Sequence, residues 1–84
     1  MRLGSEILRA LSAETGGGVQ YTVLDGQGGY FQNVRRVLEF SDTTIVLRGR
    51  SGSVRVVGKR LSLEKYSGGD VAVKGDIERV ERVE

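Results

Sequence analysis

The stretch TTIVLRGRSGSVRVV, residues 43–57, holds two runs of alternating side chains around a glycine-bearing centre. In the first run Thr43, Ile45 and Leu47 share one face while Thr44, Val46 and Arg48 share the other, which is the periodicity of a strand. The second run repeats it, with Val54 and Val56 on one side and Arg55 opposite. Between them GRSGS supplies Gly49 and a Gly52 free to take positive φ, so the segment reads as a tight hairpin.

The same alternation extends in both directions. Upstream, VQYTVL (19–24) sets Val19, Tyr21 and Val23 on one face, DGQGG (25–29) reads as a turn, and YFQNVRRVLEF (30–40) resumes strand composition. Downstream, Leu61 and Leu63 pair up within LSLEKY, SGGD (67–70) makes another turn, and Val71 and Val73 alternate in VAVK. The final DIERVERVE spaces Ile77, Val80 and Val83 by three, which suits a helical turn or a bulged strand. Six or seven short strands at this spacing predict an all-β domain over residues 19–84, a mainly antiparallel meander or sandwich-like sheet. A short β-solenoid would leave similar spacing and is the alternative.

Ahead of the strands the period is helical. Leu3, Ile7, Leu8 and Leu11 predict a short amphipathic helix over 1–15, stopped by the glycine linker at 16–18. A helix this short is marginal alone in water, so its apolar stripe requires a surface, in cis or in trans. The opening residues carry Glu6, Arg9 and Glu14 and never run apolar long enough for a secretory segment or a membrane span, which predicts a cytoplasmic protein.

The 84 residues include no His, Cys, Trp or Pro. Disulfides, thiolate chemistry and the usual zinc, copper and haem ligands are thereby excluded, and no cofactor is expected. An enzyme would have to work with carboxylates, for which Glu39 with Asp42 and Asp76 with Glu78 are the candidates. Each stands beside basic residues in exposed or turn-like sequence, where solvated charge is the ordinary explanation, so the chain is read as non-enzymatic. The cluster at 25–29 lacks the Lys-Ser/Thr ending of a phosphate-binding loop and leads into a strand, so it too reads as a loop.

Charge is concentrated in RGRSGSVRVVGKR (48–60), which holds five cations and no acid. Arg48, Arg50, Arg55, Lys59 and Arg60 would neutralise phosphates in a nucleic-acid-binding β module. The nearest aromatics, Phe40 and Tyr66, fall outside the segment, so a stacking platform is missing and the weightier reading is a hairpin showing its cations to water. Ile77, Val80 and Val83 in turn either close the domain's own core or form an interaction strip.

The order of these features resembles the YabP/YqfC family of sporulation proteins over residues 30–83. QN..RVLEFS at 32–41 is similar to the YqfC branch. The glycine before an alternating strand (Gly52, Val54, Val56), the glycine before L-x-L (Gly58, Leu61, Leu63) and G-x-I-x-x-V (Gly75, Ile77, Val80) follow in the family's order. The resemblance implies a small non-enzymatic protein of late endospore formation, made in the mother cell and acting at the outer forespore membrane. It further implies a membrane-protein partner of the YqfD kind, and it brings no catalytic residues. Self-association is expected on physical grounds, because short strands leave unpaired edge groups and a small core gains from burying apolar area in an oligomer.

Overall fold

A computed structural model describes residues 18–24 and 26–83, which form six strands: β1 (Gln20–Leu24), β2 (Gly28–Gln32), β3 (Arg36–Phe40), β4 (Thr44–Arg48), β5 (Ser53–Ser67) and β6 (Asp70–Val83). The helix expected over 1–15, with Leu3, Ile7, Leu8 and Leu11, lies outside the described residues, as do Gly16 and Gly17. The strands form one open sheet in the order β1-β2-β6-β5-β4-β3. Every pairing is antiparallel, whereas the coils of a solenoid stack in parallel, so the solenoid alternative is set aside.

The hairpin expected over residues 43–57 is present. Ile45 lies opposite Val56 and Leu47 opposite Val54, and the Gly49 amide donates to the Gly52 carbonyl at 2.6 Å. Gly52 is not among the residues at positive φ, so the turn closes without that freedom.

The sheet departs from the expected run of short strands in two ways. SVRVV and LSLEKY fuse into β5, of 15 residues, and VAVK and IERVERV fuse into β6, of 14. Conversely, residues 30–40 are interrupted at 33–35. A meander would also place β3 beside β2, but β6 takes that position.

These departures have a common cause, which is that the long β5–β6 hairpin bends. Its first leg pairs with β4 only through residues 53–57, and its return leg pairs with β2 only through residues 71–74. Register shifts fall between, at Val57/Gly58 and Lys59/Ser62. Residues from both halves, among them Phe31, Ile45, Leu47, Val54, Val56, Leu61, Val71 and Val73, belong to a single buried cluster, so the two halves face each other across one core. The linker confirms the fold-over by reach. Four strand spacings separate β2 from β3, about 19 Å in a flat sheet, while the chain from Gln32 to Arg36 spans at most about 14 Å. Only a folded sheet lets three residues make the crossing.

The bend is built from glycine. A Cβ at Gly58 would overlap the Asp76 carbonyl oxygen, and one at Gly75 would stand 2.5 Å from the Arg60 carbonyl oxygen. Both amides are taken by turns of flanking hairpins, Gly58 donating to Thr43 and Gly75 to Gln27. The linker is held as firmly: the Val34 amide donates to the Gly69 carbonyl, the Arg35 amide to the Arg48 carbonyl, and the Tyr66 hydroxyl to the Arg35 carbonyl.

The three-residue spacing of Ile77 and Val80 also finds its explanation. Val57 is opposite Arg79 but Gly58 is opposite Ile77, which leaves Glu78 as the extra residue of a bulge. An extra residue restores the face, so Ile77 and Val80 both pack on the core. The last stretch is therefore bulged strand rather than a helical turn.

Candidate functional site

The cations of residues 48–60 do not gather into one surface. Arg55, Lys59 and Arg60 lie along β5 and meet carboxylates of β6: Arg55 with Glu81 at 3.8 Å, Lys59 with Glu78 at 3.9 Å and Arg60 with Asp76 at 3.7 Å. Glu81 also accepts a hydrogen bond from Arg79 at 2.8 Å. The pairing follows from register, because Arg55 is opposite Glu81 and Lys59 is opposite Asp76, beside Glu78. It also engages the Asp76 and Glu78 considered above for catalysis, while Glu39 and Asp42 are exposed.

These pairs are solvated, with 43% and 35% of the Arg55 and Glu81 side chains exposed. Exposed ion pairs contribute little, so Arg55→Ala is expected to change the unfolding free energy by less than about 1 kcal/mol. Urea denaturation at low and high salt measures it, and a larger loss would show that the side chain supports the sheet by packing.

Arg48 and Arg50 are separated from the other three. Arg48 ends β4 and lies directly opposite Arg36, and Arg50 stands in the β4–β5 turn against Gly18. Arg35 and Arg36 join them at this end of the sheet, although the sequence reading did not single them out. Their proximity to Arg48 arises from the β3–β4 register and the linker hydrogen bond, both non-local.

The apolar candidates divide similarly. Ile77 and Val80 pack on the core and Val83 is half-buried. Among the described residues the exposed large apolar side chains are Leu24, Tyr30, Leu38, Phe40 and Tyr66. Two of these lie on β3, an edge of the sheet, where Leu38 is 50% and Phe40 53% exposed. A register shift between Val37 and Glu39 sets Leu38 out of the ladder. Free edge N–H and C=O groups beside exposed apolar side chains are what a second strand pairs with.

No group of three or more acidic residues among the described ones is arranged to hold a metal ion. No helix among them is long and apolar enough to cross a membrane. What they present is an antiparallel sheet module with two open edges, a solvated row of cross-strand ion pairs and an arginine-rich end.

Residues 18–84 match the family model described as the YabP family, so the chain belongs to the YabP family. The match takes in all six strands. No curated protein and no solved structure matched the chain. Membership in this family is consistent with a sporulation-associated protein.

Proposed function

We propose that the protein is a non-enzymatic assembly module of endospore formation that works by presenting sheet surfaces and edges to copies of itself and to a partner. The observation that carries this reading is the β3 edge, with Leu38 and Phe40 exposed on a domain too small to waste apolar surface. Pairing at that edge would hydrogen-bond its free main-chain groups and bury both side chains. Within the family, QN..RVLEFS at 32–41, which forms the linker and β3, supports placement in the YqfC branch. On that placement the protein acts in the mother cell at the outer forespore membrane, alongside a membrane protein of the YqfD kind. The nucleic-acid reading is weaker, because Arg55, Lys59 and Arg60 already meet carboxylates.

Light scattering coupled to sizing chromatography tests the proposal. The full chain is expected to run above its 9.1 kDa monomer mass at high concentration, and L38K/F40K to return it to monomer. A strict monomer at every concentration, with no partner captured from sporulating cells, would overturn it.

A further inference from the structure

Four arginines at one end of the sheet meet no carboxylate among the described residues. Arg35 ends the β2–β3 linker, Arg36 opens β3, Arg48 closes β4 and Arg50 follows in the turn. Among the described residues none of them forms an ion pair, whereas Arg55, Lys59, Arg60 and Arg79 each do. Asp70, the carboxylate next along the chain from Gly69, is not paired with them either. Arg36 and Arg48 are direct cross-strand partners, and like charges so placed repel unless an anion lies near.

Beside this pair is a cavity of about 450 Å³ lined by Arg35, Arg50, Asn33 and Val34 with the backbone of Gly18, Gly68 and Gly69. Asn33 and all three glycines have positive φ, and the three glycines bring no side chain to the cavity wall. Arg35 projects from a pinned backbone: its amide donates to the Arg48 carbonyl at 2.6 Å and its carbonyl accepts from the Tyr66 hydroxyl at 3.2 Å. A cation held this way loses less freedom on binding.

The chemistry selects the ligand class. A single carboxylate would offset one of four positive charges, while a phosphate or diphosphate offsets two or more and matches the guanidinium fork. Among the described residues no aromatic side chain lines the cavity, so its wall lacks a stacking platform for a nucleobase. We propose that this cavity binds a multiply charged oxyanion of the phosphate class through Arg35 and Arg50, with Arg36 and Arg48 adding to its positive field. The site is separate from the β3 edge pairing and goes beyond the assembly function.

The test is an amide-resolved NMR titration of the full chain with pyrophosphate, against acetate at matched ionic strength. Saturable shifts are expected at Gly18, Asn33, Gly68 and Gly69. R35Q/R50Q is expected to weaken binding by more than about tenfold and R35K/R50K by less, since lysine keeps the charge but loses the fork, while R79Q leaves it unchanged. Both arginines are exposed, and a dispersed spectrum of each variant confirms folding. A parallel arm uses phosphatidylcholine vesicles with and without phosphatidic acid. Binding that requires phosphatidic acid and is lost in R35Q/R50Q supports the site and assigns its phosphate to a lipid, whereas pyrophosphate binding alone assigns it to a soluble ligand. Equal affinity for acetate, affinity unchanged in R35Q/R50Q, or no saturable binding in either arm would overturn the proposal.

Discussion

Gly75→Ala is expected to lower the unfolding free energy by about 3 kcal/mol or more. Two costs add at this position. The backbone sits at φ +128, a region that side-chain-bearing residues enter only with strain of about 1–3 kcal/mol. The new Cβ would also meet the Arg60 carbonyl at 2.5 Å and the Leu61 Cα at 3.0 Å, and forcing atoms into such a space costs about 1–3 kcal/mol more. The obstacles are backbone atoms of β5, which cannot swing aside as a side chain would. The matched control is Gly68→Ala, at φ +61 with nothing within 4 Å of the added carbon, where only the conformational cost of about 1 kcal/mol applies. For a domain of this size each kcal/mol corresponds to about 4–8 °C in Tm, so thermal melts separate the two variants readily. Equal losses at both positions would mean that β5 and β6 do not approach closely at the bend.

Phe31→Ala is expected to cost about 3–5 kcal/mol, the range for removing a large buried aromatic. Phe31 is fully buried, stacks on Tyr21 with ring centroids 5.7 Å apart, and lies opposite Val71. Folded domains are stable by about 0.05–0.15 kcal/mol per residue, so a loss of this size is a large share of the total for 84 residues and lowers the midpoint of unfolding sharply. Tyr30 provides the contrast. It is the preceding residue on the same strand, points to the opposite face and is 61% exposed, so Tyr30→Ala is expected to cost less than about 1 kcal/mol. Chemical denaturation of the pair reads the alternation of β2 directly. A similar loss for both would place β2 with both faces covered.

The contrast between Phe31 and Tyr30 marks how far local pattern reached. Alternation alone assigned Ile45, Leu47, Val54 and Val56 to one side, and all four are core residues, because a period of two in a strand leaves no other arrangement. Local pattern failed where the chain changes register. Ile77 and Val80 suited either a helical turn or a bulge, and only the partner strand shows Glu78 as the extra residue. Glycines 58 and 75 were visible as family spacing, but their role in the bend depends on backbone atoms of the facing strand.

The candidate site was less legible. Reading residues 48–60 as one basic block treats neighbours in sequence as neighbours in space, yet the β5–β6 register gives Arg55, Lys59 and Arg60 to the carboxylates of β6. The same register logic brings Arg36 opposite Arg48, and a linker hydrogen bond brings Arg35 beside it. Leu38 and Phe40 stood within an ordinary strand run, and their exposure follows from β3 being last in the sheet.

The order of amino acids determined that residues 19–83 would form mainly antiparallel strands with turns within 25–29, 49–53 and 67–70, since periodicity and turn chemistry act over a few residues and are written locally. Which strands became edges, where the long hairpin bends, and which charges were left without partners were decided only by the tertiary structure. Those properties depend on groups far apart in the chain meeting at a few ångströms, and a register shift of a single residue reassigns them.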